Sequence, residues 1–171
     1  MSGFEIERKF LVRGDGFKMQ AESSSHIRQG YILSGDGRTV RVRTRDGRGF
    51  LTIKGPAGNG GLARYEFEKE ITADEAEHLM QMCEPGVVDK RRYIVPFHGH
   101  VFEVDEFFGD NDGLVFAEVE LGSEDEPFDK PDFIGPEVTG DRHFYNSNLR
   151  RMPYRLWCAA MPEEYRHRRQ G

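Results

Sequence analysis

Apolar and polar residues alternate along most of the first 121 positions, the period-2 pattern of strands whose two faces meet different surroundings. Eight such stretches are predicted, near residues 4–12, 28–34, 38–45, 49–54, 63–71, 88–95, 100–107 and 115–121. Turn chemistry separates them. SGDG (34–37) and RDGRG (45–49) carry Asp-Gly pairs, which tolerate the positive φ of tight hairpins. GPAGNGG (55–61) is a longer connection, and FHGH (97–100) and GDNDG (109–113) join later strands. One helix is well marked: Thr72 and Glu75 form a capping box, Ala76, Leu79, Met80 and Cys83 recur at helical spacing, and Pro85-Gly86 stops it. A shorter helix is expected within 15–22. Residues 141–168 read as a helical segment broken by Pro153 and Pro162, ending in a frayed tail, EEYRHRRQG. The expected architecture is a mainly β, α+β protein. It is an eight-stranded antiparallel closed barrel over about 4–121 with a few peripheral helices, a single domain spanning 1–171.

The polar faces are charged in a regular way. Glu5 and Glu7 share a face with Lys9; Glu66 and Glu68, Glu103 and Asp105, and Glu118 and Glu120 are further acidic i, i+2 pairs. Basic pairs lie on other strands, Arg41 with Arg43 and Lys90 with Arg92, and Arg28 and Lys54 stand at strand ends. Carboxylates at i and i+2 sit ~6–7 Å apart and repel by about 2–3 kcal/mol at an effective dielectric of ~20. A fold tolerates this if the face is in water or if the pairs meet cations. Alternation alone leaves both open: a wet face of an antiparallel sheet is ordinarily charged. If the charged faces turn inward, carboxylate pairs suit Mg²⁺ or Mn²⁺, and Arg and Lys pairs suit phosphate oxygens.

Composition narrows the classes. Charged residues make up 32% and the net charge is −6, so no basic field recruits nucleic acid or an anionic membrane. Thirteen Phe and six Tyr argue against disorder. No apolar run is long enough to span a bilayer and no signal peptide opens the sequence; a cytoplasmic protein is expected. Cys83 and Cys158 belong to no CxxC pattern and read as reduced thiols. His98-x-His100 has no third histidine and reads as loop chemistry. GPAGNGG lacks the Lys-Ser/Thr end of a P-loop, GDGRTV lacks the third Gly of a dinucleotide fingerprint, and no GxSxG occurs.

Glu5-Ile6-Glu7-Arg8-Lys9 resembles the ExExK signature of the CYTH superfamily, the triphosphate tunnel metalloenzymes. RQGY (28–31), RVR (41–43), TIK (52–54), EFE (66–68), KRRY (90–93), FEVD (102–105), EVE (118–120) and VTGD (138–141), followed by Tyr145 and Asn146, are similar to its successive motifs in order. The resemblance covers about residues 3–150 and is nearest to small bacterial inorganic triphosphatases. It implies a tunnel with the charges inside and metal-dependent hydrolysis of the terminal phosphoryl of a triphosphate. Glu5, Glu7, Glu118 and Glu120 are implied as leading ligands of Mg²⁺ or Mn²⁺, with Glu66, Glu68, Glu103 and Asp105 holding a second metal or water. Lys9, Arg28, Arg41, Arg43, Lys54, Lys90 and Arg92 are implied to cradle inorganic triphosphate or a nucleoside triphosphate, with Lys9, Tyr31 and Lys90 as catalytic candidates. The resemblance also admits a class IV adenylyl cyclase, a nucleoside or thiamine triphosphatase, and a homodimer. A non-catalytic binder of phosphorylated ligands needs the cations but not four acidic pairs.

Overall fold

The structure, a computed structural model, describes residues 2–167; the end of the tail expected to fray, 168–171, lies outside the described residues. In chain order the elements are β1 (Ser2–Val12), α1 (Phe17–Gln20), β2 (Ser23–Gly35), β3 (Arg38–Arg45), β4 (Arg48–Lys54), β5 (Ala63–Ile71), α2 (Ala73–Gln81), β6 (Val88–Phe97), β7 (His100–Phe107), β8 (Val115–Glu120), β9 (Ile134–Glu137) and α3 (Asn146–Leu149). Eight strands close in the order β1-β5-β4-β3-β2-β6-β7-β8 and back to β1, every pair antiparallel. β1 closes the barrel because its two halves use opposite edges: Ser2–Ile6 pair with β5 and Glu7–Leu11 with β8. The ninth strand, β9, adds to β1 beyond β5, through Phe10 and Val12.

The hairpins follow their turn residues. Asp36-Gly37, Asp46-Gly47 and His98-Gly99 all take positive φ at both positions, the geometry of type I′ turns. Thr72 caps α2 with the reciprocal Thr72–Glu75 bonds expected. Residues 142–165 are a chain of single turns, 3₁₀ at Arg142–Phe144, Tyr154–Leu156, Cys158–Ala160 and Glu163–Tyr165, around the four-residue α3. Pro153 and Pro162 each stand immediately before one of those turns, where a missing N–H costs nothing.

The apolar side chains sit outside the barrel wall and at one end of it. Phe10, Phe102, Val104, Ala117 and Val119 pack outward under α1 and the segment carrying Leu121, Phe133 and Ile134. His98 and His100 pin that segment through Asp129 (2.9 Å) and Glu126 (2.6 Å). Leu11, Val88, Phe107 and Phe116 meet Phe144, Leu149, Tyr154 and Tyr165, so the C-terminal turns cap the end where β1 finishes and β8 starts. α2 lays Ala76 and Met80 on Val42 across β2–β4. Glycines admit it: a Cβ on Gly49 would stand 2.6 Å from that of Ala76, and one on Gly30 would stand 2.8 Å from Cys83 Sγ. Gly49→Val is therefore expected to cost about 1–3 kcal/mol, the usual penalty of overpacking, read as a lower urea midpoint with the m-value unchanged.

Candidate active site

The direction of each strand's charged face is fixed by cross-strand register, because residues directly opposite share a face. Glu5 faces Arg64, Lys54 faces Glu66, Thr52 faces both Arg41 and Glu68, Arg92 faces Asp105, and Glu118 faces both Lys9 and Glu103. All of these point into the barrel. They surround a cavity of about 370 Å³ lined by Glu5, Glu7, Glu66, Glu68, Glu103, Glu118 and Glu120, and by Lys9, Arg41, Arg43, Arg45, Lys54, Arg64 and Arg92. Seven carboxylates and seven cations therefore share one lumen, and their formal charges cancel. That balance lets the fold bury so many charges at all.

Most charges are already paired. Lys54 Nζ lies 2.8 Å from Glu5 and 3.8 Å from Glu66, and Lys9 Nζ lies 3.6 Å from Glu118 while donating to the Phe144 carbonyl at 2.7 Å. Arg41 donates to Thr52 Oγ1 (3.2 Å), which donates to Glu68 (2.9 Å); the Arg41 Nε is buried without a partner. Arg92 reaches Glu103 at 2.6 Å and grips Asp105 with two bonds of 2.8 and 2.9 Å. Asp105 also accepts from Lys90 at 2.7 Å, and Lys90 donates its next bond to Asn146 at 3.0 Å.

Burial and crowding set the protonation of these groups. Burial would raise the Asp105 carboxyl, but Arg92 and Lys90 outweigh it and bring it to about 2. Burial pushes the Lys90 ammonium down, against the opposing pull of Asp105. Arg43 falls to about 9 through burial and the neighbouring Arg41 and Arg92. Burial and the charge of Glu118 lift Glu7 well above the usual carboxylate range. Glu118 itself, despite burial, is held low by Lys9 and by the proton it shares with Glu7. Glu5 is raised by burial and Glu66, and Glu120 by burial, Glu5 and Glu103.

Three expectations change. Arg28 is exposed on the outer face of β2, opposite Thr44 and Asp89; the inward positions there are Ile27, Gln29 and Tyr31. Asp105 does not line the cavity: it is 1% exposed, and both its oxygens are engaged by Lys90 and Arg92. Lys90, also fully buried, stands behind the lining. Arg45 and Arg64 also line the cavity, Arg45 over Phe50 and Arg64 two residues before Glu66. Glu70 continues the Glu66/Glu68 face but pairs outside with Arg48 at 2.9 Å. Asp141 caps the turn at 142–144 by accepting from the His143 N–H at 3.0 Å. Among the described residues no three carboxylate, His or Cys groups converge tightly enough to cage an ion unaided. No helix among them is long and apolar enough to cross a membrane.

Comparison with known proteins agrees with this geometry. The CYTH domain family matches residues 3–145. An inorganic triphosphatase of Acetivibrio thermocellus is 47% identical over 154 residues, covering 90% of this chain and 97% of its own. One from Nitrosomonas europaea is 37% identical over 149 residues, covering 85% and 95%. The crystal structure of an inorganic triphosphatase superposes with a TM-score of 0.60 at 33% identity, over 84% of this chain and 95% of that one.

Proposed function

Because the chain belongs to the CYTH domain family, we propose that its lumen hydrolyses the terminal phosphoryl of a triphosphate, inorganic triphosphate first, to pyrophosphate and phosphate. The observation that carries this reading is the equal lining of carboxylates and cations in one buried cavity. A triphosphate entering alone would bring several negative charges into a lumen whose cations are already neutralised. CYTH triphosphatases depend on metal, and the donor set fits a hard divalent cation, Mg²⁺ or Mn²⁺. Glu7 and Glu118 crowd each other enough to share a proton, and Glu5, Glu66, Glu103 and Glu120 surround them in the lining. Mg²⁺ keeps several waters and takes one or two carboxylates with substrate phosphates, so a fully formed protein cage is not required. When bound, such a cation supplies charge neutralisation and a more acidic water.

The chain's own residues do the rest. Carboxylates that turn to a cation release Lys9, Arg41 and Lys54 for phosphate oxygens. Arg41 Nε is a buried donor that awaits an acceptor, Arg43 spends its Nε on Gln29, and Arg45 and Arg64 add to the positive lining. Phosphoryl transfer needs this positioning and charge more than it needs covalent chemistry. Tyr31 and Lys9, both in the lining, offer a hydroxyl and an ammonium to the reacting group; Lys90 and Asp105 act from behind it, as a buried pair that fixes Arg92.

Purified protein with inorganic triphosphate or ATP, each with Mg²⁺, Mn²⁺ or EDTA, tests the reading. Phosphate release that needs the metal and is faster from triphosphate is expected. Cyclic AMP from ATP would move the site to cyclase chemistry, and binding without turnover would make it a receptor.

A further inference from the structure

Gln29 is fully buried on the inward face of β2. Its Oε1 accepts from Arg43 Nε at 3.2 Å, and its Nε2 donates to the Tyr31 hydroxyl oxygen at 3.1 Å. The two ends of an amide look alike in shape but not in chemistry. A guanidinium only donates, so the amide oxygen has to face Arg43 and the amide nitrogen has to face Tyr31. The phenol oxygen thus receives a hydrogen bond, and its own proton is left to point elsewhere. Tyr31 is only 3% exposed and lines the cavity, so the cavity is the direction left open to that proton.

We propose that Gln29 is a positioning residue: it presets Tyr31 as a hydrogen-bond donor to a substrate phosphoryl oxygen and holds Arg43 by Nε, leaving its terminal nitrogens for the same anion. This rests on the triphosphatase reading. The chain of direction runs Arg43 to Gln29 to Tyr31 to substrate, each member donating to the next: the amide accepts from Arg43 at Oε1 and donates to Tyr31 from Nε2. Without it, a phenol hydroxyl is free to choose between its in-plane orientations, and a donor aimed before substrate arrives is worth more than one that must be ordered during reaction.

Gln29→Glu tests this with nearly no change of shape. A carboxylate still accepts from Arg43, but it also accepts from Tyr31, so the phenol proton turns away from the cavity. In the Mg²⁺ triphosphate assay kcat is expected to fall about 10- to 100-fold, to the level of Tyr31→Phe, and the double variant is expected to be no slower than either single one. A purely structural role for Gln29 would make the two losses multiply. Should Gln29→Glu fold poorly, Gln29→Met removes both bonds without adding charge, and a fall in kcat that shrinks in the Tyr31→Phe background to the part owed to the lost Arg43 anchor is expected. Unchanged kcat in either folded variant, or multiplicative losses, overturns the proposal. Absence of turnover by the unaltered protein would instead overturn the triphosphatase reading on which it stands.

Discussion

Glu7→Gln is expected to make the protein more heat-stable and nearly inactive at once. Glu7 is the most crowded carboxylate of the lumen: burial and Glu118 both favour its protonated form, with only Lys54 among the larger influences pulling the other way. An amide keeps its shape and removes the charge. A carboxyl whose folded pKa is raised contributes stability below its unfolded value of about 4.3, and that contribution is lost as pH rises through the folded value. The variant, neutral at every pH, should therefore match the unaltered protein near pH 4 and exceed it increasingly toward pH 8. In a domain of this size ~1 kcal/mol moves Tm by about 2–4 °C, and a gain of at least that size at pH 8 without metal is expected. Activity should move the opposite way. Removing one group that holds transition-state charge typically costs about 10²–10³ in rate, and adding Mg²⁺ should stabilise the unaltered protein more than the variant, since only a bound state gains by mass action. Calorimetry at pH 4 and 8, with and without Mg²⁺, decides it. A variant less stable at pH 8, or one with full turnover, would show that Glu7 serves the fold and not the site.

This trade between stability and charge explains how much could be read from the chain. Alternation places eight strands, because side-chain period is a local consequence of pleating. It does not say which face closes inward, and β1 shows why: the lumen exists because Ser2–Ile6 and Glu7–Leu11 pair on opposite edges with strands distant in sequence. Arg28 was misplaced by chemistry that looked right, one residue out of phase. Gly30 carries the corrective signal, since a glycine on a strand marks close approach by another element, and α2 indeed lies against it. That puts even positions of β2 outside and Gln29 and Tyr31 inside. Arg64 was legible by the same period, two before Glu66. β9 was not: IGPE has neither alternation nor length, and its Pro136 fits only an edge. The pairing of Asp105 with Lys90 and Arg92 was also hidden, because sequence shows a carboxylate's face but not who reaches it first.

Asp105→Ala should be the most destabilising single truncation in the lumen. Both carboxylate oxygens are engaged at 2.7–2.9 Å, and the group is 1% exposed. Cutting one partner out of a buried ionic cluster typically costs about 3–5 kcal/mol, because the remaining charges stay desolvated; for this length that is a Tm lower by roughly 6–20 °C. Lys90, already pushed down by burial, would shed its proton, whereas Arg92 cannot and would lean on Glu103 alone. The pH dependence identifies the cause. With a folded pKa of about 2 against about 3.9 unfolded, Asp105 contributes its ionic share, about 2–3 kcal/mol, above pH ~4 and loses it as pH falls through 2. The stability gap between the unaltered protein and Asp105→Asn, which keeps volume and one acceptor, should accordingly be constant from pH 7 to 5 and narrow below pH 4. Urea unfolding at those pH values measures it. A gap independent of pH down to 3 would mean that packing, not charge, makes Asp105 matter. Lys90→Met combined with Asp105→Leu should recover most of the loss while leaving Arg92 free to swing, so stability returns without activity. Recovery of both would remove the Lys90–Asp105 pair from any part in holding Arg92 toward the phosphate.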